Sequence, residues 1–204
     1  MEKFYSQLFA KTYDTFTGGL ERSLYKKRHG LLNSLEGNIL DVGSGTGNNF
    51  QFYRKGTKIT AVEPSASMMR IAKSKVEAGQ MITFYEHGVL DASLDQLIQP
   101  NSFDAIVCTL VLCTIPDPKM ALERFRNLLK PEGKLILLEH IHAHKPVNRR
   151  LQKILNPAWK ICGDGCNLTR DTDKLVKAAG FYPLSEEYFK RTLRFYAGVF
   201  SLST

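Results

Sequence analysis

A short apolar run that ends beside a carboxylate and opens into alternating glycines constrains the fold of this chain more than any other feature. It reads Asn38-Ile39-Leu40-Asp41-Val42-Gly43-Ser44-Gly45-Thr46-Gly47-Asn48-Asn49. The apolar residues suit a buried parallel strand, and the glycines at 43, 45 and 47 allow a tight turn and close backbone approach to a ligand at its carboxyl end. A second apolar run, Lys58-Ile59-Thr60-Ala61-Val62, ends at Glu63. An acidic side chain about 20 residues beyond the first carboxylate can accept hydrogen bonds from both hydroxyls of a ribose. A structural turn with Asp41 capping the next helix would explain the glycines alone. It would not explain Glu63 at this spacing.

Asn48 stands where a dinucleotide fingerprint requires its third glycine, and Asp41 would face a pyrophosphate of like sign. The loop suits a cationic cofactor instead. S-adenosyl-L-methionine carries an ammonium and a sulfonium, and a carboxylate about 4 Å away attracts either by about 4 kcal/mol at an effective dielectric near 20.

Strands are expected at 38–42, 58–62, 82–86, 104–109 and 134–139, alternating with helices near 46–54, 65–78, 92–98 and 118–129. That alternation predicts an α/β fold, a Rossmann-like doubly wound and mostly parallel sheet. Lys130-Pro131-Glu132-Gly133 is expected to end a helix and turn the chain into the fifth strand. Segments 181–189 and 193–202, rich in aromatic and β-branched residues, predict an antiparallel C-terminal edge hairpin. The pattern loosens over 140–156 and resumes as a helix over 168–179 with Thr169 as its cap. At the other end, Phe4, Leu8, Tyr13, Phe16, Leu20 and Leu24 allow one or two amphipathic helices broken near Gly18-Gly19. Residues 1–204 are therefore expected to form a single domain, with 1–35 as an N-terminal helical cap over the cofactor site.

A chain of 204 residues with 43% hydrophobic and 24% charged residues has the size and composition of one soluble globular domain. Its longest apolar stretch, 105–115, is short for a membrane span and reads as a buried strand leading into a loop. The opening Met1-Glu2-Lys3-Phe4-Tyr5 lacks the basic segment and apolar core of a secretory leader, so a cytoplasmic location and reduced thiols are expected. The net charge of +8 is divided among Lys26-Lys27-Arg28, Arg149-Arg150 and Lys190-Arg191. Aromatic residues are not interleaved with these clusters, so nucleic acid is not the expected partner and a solvated surface is. Cys162 and Cys166 stand at helical i, i+4 spacing and, with Cys108 or Cys113, would offer a soft metal or arsenite its ligands. Lacking a tighter pattern, buried apolar cysteine is the better reading, and no metal is expected.

Leu40-Asp41-Val42-Gly43-Ser44-Gly45-Thr46-Gly47, Val62-Glu63-Pro64, Ser102-Phe103-Asp104-Ala105-Ile106-Val107 and Leu129-Lys130-Pro131-Glu132-Gly133-Lys134-Leu135 together resemble the class I S-adenosylmethionine-dependent methyltransferases. Cys108-Thr109-Leu110-Val111-Leu112-Cys113, Glu139-His140 and Asp164-Gly165-Cys166-Asn167-Leu168-Thr169-Arg170 resemble more narrowly the methyltransferase-like proteins that methylate alkyl thiols. Those proteins carry an N-terminal hydrophobic anchor and usually a cysteine where Ser44 stands, so membrane association is not carried over.

The resemblance implies S-adenosyl-L-methionine as cofactor and S-adenosyl-L-homocysteine as product. It implies that Asp41, Gly43, Ser44, Gly45 and Gly47 meet the methionine portion, that Glu63 holds the ribose, and that Asp91 and Ala92 flank the adenine. Thr109 and Leu110 would approach the methyl donor, and Tyr13 would close over the cofactor carboxylate. Asp91 reads equally as a helix cap and Tyr13 as core. His140 and His142 follow the fifth strand on the ligand side, where either would take a proton or hold the acceptor, unless they only pack. Asp164 is the second catalytic candidate, with a glycine-turn role as its alternative. The expected partner is a small, hydrophobic methyl acceptor, with thiol sulfur preferred. A quinol carbon or a hydroxyl of a secondary metabolite is the alternative, and a non-catalytic S-adenosylmethionine sensor the third reading. No Asn-Pro-Pro-aromatic or Asp-Pro-Pro-aromatic run follows the fourth strand, which speaks against nucleobase acceptors.

Overall fold

The computed structural model describes residues 4–202, with side chains from residue 7 onward. Met1, Glu2 and Lys3, read above for a leader, and the side chains of Phe4 and Tyr5 lie outside the described residues. Helix α1 (Phe4–Leu32) precedes β1 (Asn38–Val42), β2 (Lys58–Val62), α2 (Ala66–Ser74), β3 (Met81–Tyr85) and β4 (Phe103–Thr109). There follow α3 (Pro118–Leu128), β5 (Leu129–Ile141), α4 (Pro146–Cys162), α5 (Thr172–Ala178), β6 (Phe181–Lys190) and β7 (Arg194–Leu202).

The strands form one sheet in the order β3-β2-β1-β4-β5-β7-β6. The pairs from β3 through β5 are parallel, and β7 runs antiparallel to both β5 and β6. The doubly wound sheet and its C-terminal hairpin are therefore as expected. Leu40, Val42, Ile106 and Cys108 face one core layer with α3 and α5, while Ile39, Ala105 and Val107 face the other with Leu32 and Ala72. Burial on both faces makes each inner strand a continuous apolar run. Strand order reverses between β1 and β4, which opens a crevice at their carboxyl ends, the ligand position of such sheets. No helix among the described residues is long and apolar enough to cross a membrane.

Several local expectations are corrected. Helix α1 is not broken at Gly18-Gly19. Neither glycine takes a left-handed conformation, and the helix is fastened on both sides of them. Leu24 and Leu32 are fully buried after the pair, and Asp14 before it accepts hydrogen bonds from Thr46 Oγ1 at 2.6 Å and Lys75 Nζ at 2.7 Å. The segments expected to be helical at 46–54 and 92–98 contract to short 3-10 turns, Phe50–Phe52 and Ala92–Gln96. In the first, Asn49 is drawn down to Asp41 rather than continuing a helix. Strand β5 begins at Leu129, and Lys130-Pro131-Glu132-Gly133 bulges out between the Phe103–Leu129 and Ala105–Lys134 pairs. The stretch read as irregular contains α4. Thr169 caps nothing; its hydroxyl and amide bond the Asn167 side chain, and α5 starts after Asp171.

Candidate active site

The glycine loop is hung on the end of β2. The Gly43 and Ser44 amides both donate to Val62 O, at 2.8 and 3.2 Å. Gly43 has φ 60°, and a Cβ there would lie 2.1 Å from Val111 Cγ2, so only glycine lets the loop rest on the turn after β4. Gly45, at φ 55°, would meet nothing closer than 3.9 Å. Its open side leaves room for a ligand to approach the backbone. Glu63 closes the other wall. One carboxylate oxygen accepts the Gly45 amide at 2.9 Å and the other the Ser65 amide at 2.9 Å, leaving lone pairs for further donors. Burial pushes this carboxyl above the ordinary glutamate value, against the pull of those two amides.

Together these elements bound a cleft of about 1630 Å³. A single drug-sized ligand occupies roughly 300–1,000 Å³, so the cleft has room for a cofactor and an acceptor side by side. Tyr13, Gly43, Ser44, Gly45, Glu63, Asp91, Thr109 and Leu110 all line it, as do His140 and Asp164. The Ser44 hydroxyl is buried with no partner among the described residues. An orphaned donor, an open glycine and a carboxylate at the end of β2 on one wall fit the polar end and ribose of S-adenosylmethionine.

Three expected residues lie away from the cleft wall. Asp41 is fully buried beneath the loop, where it accepts from Asn49 Nδ2 at 2.9 Å and Tyr53 OH at 3.0 Å. Gly47 faces inward, where a Cβ would stand 2.8 Å from the Phe50 ring and 3.1 Å from Ala72 Cα. Ala92 is exposed at the start of its 3-10 turn. Asp91, read also as a cap, makes no capping bond; it accepts the Gly88 amide at 2.6 Å. Burial pushes the Tyr13 hydroxyl up, and its ring packs edge-on against Phe9.

Arg28 was missed. The sequence places it in a basic cluster, yet it is 3% exposed and lines the cleft. Its guanidinium donates to Asn49 Oδ1 and, at 2.7 Å, to Thr109 Oγ1, and pairs with Glu21 at 2.9 Å. The available signal was the helical face Glu21, Leu24, Arg28, Leu32, which repeats at three- and four-residue steps.

Leu110 shapes the opposite wall. At φ 60°, a costly backbone conformation for a residue with a Cβ, it turns the Val111 and Leu112 amides onto Glu139 Oε1, both at 2.8 Å. Burial pushes Glu139 up to about 7. Next along β5, His140 Nε2 lies 3.0 Å from Cys166 Sγ, and Cys166 Sγ lies 3.6 Å from Cys113 Sγ. The Cys113 contact and then His140 hold the Cys166 thiol down at about 4. Burial opposes charge on His140, but the Cys166 contact prevails and holds the ring above the usual histidine value. The contact thus favours negative charge on Cys166 and positive charge on His140, while the Cys166 contact and burial push the Cys113 thiol up.

The expectation of buried apolar cysteines holds for Cys108 and Cys113 and is corrected for Cys162, which is exposed, and Cys166, which is half-buried. Helix α4 ends at Cys162, so Gly163-Asp164-Gly165 carries Cys166 back toward β5 instead of extending an i, i+4 face. Cys108 lies fully buried in the sheet core. Asp164, at φ 48°, is exposed in that turn. His142 lies off the cleft, 3.7 Å from Asp171, and burial lowers its proton affinity.

The sequence family described as a methyltransferase domain matches residues 16–186. Thiol S-methyltransferase TMT1B of Rattus norvegicus is 35% identical over 156 residues, a match covering 76% of this chain and 64% of the rat protein. This chain therefore spans somewhat less than two thirds of that relative's length. A ubiquinone biosynthesis O-methyltransferase of Xanthomonas euvesicatoria pv. vesicatoria is 33% identical over 101 residues, 48% of this chain and 41% of that protein. In architecture, a SAM-dependent methyltransferase of Thermotoga maritima superposes with a TM-score of 0.68 at 19% identity, with 98% of each chain covered.

Proposed function

The chain belongs to the S-adenosylmethionine-dependent methyltransferases, and on that premise we propose that it methylates the sulfur of a small, hydrophobic thiol. The observation that carries this reading is the buried His140 bonded to Cys166 on the wall of a cleft large enough for two ligands. A thiol with pKa near 8.5 already exists in part as thiolate near neutral pH, its proton going to solvent, and the positive charge favoured on His140 would stabilise that thiolate beside it. The similarity to a thiol S-methyltransferase supports the same acceptor.

When bound, S-adenosylmethionine supplies an electrophilic methyl group on a sulfonium. The chain's own task is alignment and exclusion of water, because the displacement is in line and needs no covalent enzyme intermediate. Glu63 accepts from the ribose hydroxyls, residues 43–45 hold the methionine portion, and Tyr13 covers it from α1, the described part of the N-terminal cap expected over the cofactor. Asp91 stands at the adenine. Thr109 and Leu110 set the line of attack between donor and acceptor. Arg28, already fixed to Thr109, brings positive charge to the cofactor carboxylate.

Incubation with S-adenosylmethionine and matched panels of alkyl thiols, alcohols and quinols, read by product mass, tests the reading. We expect methylation of thiols alone. Methylation only of quinols or hydroxyls would establish the second reading, which the similarity to a ubiquinone biosynthesis O-methyltransferase favours. Bound cofactor with no product from any panel would instead indicate a sensor.

A further inference from the structure

We propose that Cys113, His140 and Cys166 form a zinc site with one coordination position open to the cleft. Their three ligand atoms all lie within 4.8 Å of one another. They come from three separate elements: the turn after β4, the end of β5, and the turn after α4. The site is built rather than accidental, because the two cysteine-bearing turns are locked together. The Asn167 amide donates to Cys113 O at 3.0 Å and the Cys166 amide to Gly163 O at 3.0 Å. Arg170 Nη1 bonds both Leu112 O and Ile115 O, pinning the turn that carries Cys113.

Two sulfurs and an imidazole are the donors that zinc prefers, and tetrahedral coordination places sulfurs about 3.8 Å apart and sulfur from nitrogen about 3.5 Å. The observed separations are 3.6 Å between Cys113 and Cys166 and 3.0 Å between Cys166 and His140. These two separations lie within about half an ångström of the tetrahedral values, and the Cys113–His140 separation, within 4.8 Å, closes by side-chain rotation around one ion. Binding displaces to solvent the proton of any protonated ligand thiol and the second ring proton of His140, which coordinates as neutral imidazole. Three protein ligands leave a fourth position, the arrangement of zinc sites that take a substrate. Since all three residues line the cleft, that position faces the acceptor.

What fills it rests on the function proposed above: an acceptor thiol would bind through sulfur and be deprotonated by the metal, its proton leaving to solvent. A sulfur held there as thiolate keeps a lone pair for the methyl carbon. The new carbon–sulfur bond forms as the cofactor's methyl–sulfonium bond breaks, its electron pair passing to the departing thioether.

The reduced full chain, stripped with chelator, should take up one equivalent of zinc. Cobalt(II) in its place should give a thiolate charge-transfer band and a tetrahedral visible spectrum. Cys166→Ser should remove the band and weaken zinc binding by more than the roughly 100-fold loss typical when only an outer partner of a ligand is removed. Cys113→Ser should do the same, and Cys162→Ser should leave both unchanged. Circular dichroism confirms folding of each variant, and the half-exposed Cys166 keeps the test usable if replacement of buried Cys113 does not fold. No cobalt–thiolate band in the wild-type chain, or zinc affinity unaltered in Cys166→Ser, would overturn the site. Addition of a small alkyl thiol should change the band; an unchanged band would overturn the open position. Metal binding without any methylated thiol would retain the zinc site and reject the acceptor, so the two proposals fail separately.

Discussion

Asp41 shows how a single side chain can look like a ligand contact and serve the loop from behind. Its carboxylate, fully buried between Asn49 and Tyr53, is pushed by burial from 3.8 to about 6, against the two hydrogen bonds it accepts. Between about pH 4 and 6 the folded chain therefore keeps a proton that the unfolded chain has released. Unfolding in that window releases protons, so the stability contributed by this group falls as pH rises through it. Asp41→Asn retains an acceptor for Asn49 and removes the titration. Urea unfolding at pH 4, 5, 6 and 7 should show the variant gaining on the wild type as pH rises, with most of the change complete by pH 6 to 7. Parallel stability curves would mean that Asp41 titrates alike in the folded and unfolded chains, and would overturn the upward shift. Glu63 presents the opposite case. Its spacing after β2 is a sequence signal, and its carboxylate reaches the cleft because the Gly45 and Ser65 amides hold it there.

Helix α4 is held by polar contacts where a helix is ordinarily held by an apolar stripe, and that is why its sequence pattern misled. Its one fully inward residue is Gln152, whose Oε1 accepts the Ala143 amide at 2.7 Å. Asn156 accepts the Leu168 amide at 2.8 Å. Val147, Ile154 and Ile161 meanwhile point outward, and Pro146 and Pro157 both resemble helix breakers although the first sits at the start of the helix, where no amide is needed. Gln152→Leu should strand the Ala143 amide at a cost of about 1–3 kcal/mol. Hydrogen exchange over 146–168 should accelerate while exchange in β1 and β4 is unchanged; equal protection throughout would show that α4 is held by other contacts. The inner strands gave no such difficulty. Residues 38–42 and 58–62 are bounded correctly because both faces are buried and the glycine loop and Glu63 mark their ends. The Cys113, His140 and Cys166 group had no comparable signal, since its spacing arises from three elements meeting in space.

At the scale of the whole molecule, α1 ties the glycine loop to the C-terminal hairpin along one side of the cleft. Tyr13 and Arg28 line the cleft, Asp14 is tied to Thr46 and Lys75, and Lys27 reaches Glu187 on the C-terminal hairpin at 2.6 Å. Helix α1 thus straps the cleft wall, and its glycine pair lies between the two anchored halves. A Cβ at Gly18 or Gly19 would meet nothing within 4 Å, so Gly18→Ala with Gly19→Ala should stabilise the helix by about 1–2 kcal/mol without touching the cleft. If α1 opens by bending there, the closed form is favoured equally with and without cofactor. Association and dissociation should then both slow, by roughly tenfold for about 1.4 kcal/mol, while Kd stays the same. Trp159, the sole tryptophan of the chain and part of the cleft wall, gives stopped-flow fluorescence a local probe. Raised stability with unchanged rates would show that the cofactor enters past an intact α1, which would then be a fixed wall of the site rather than its gate.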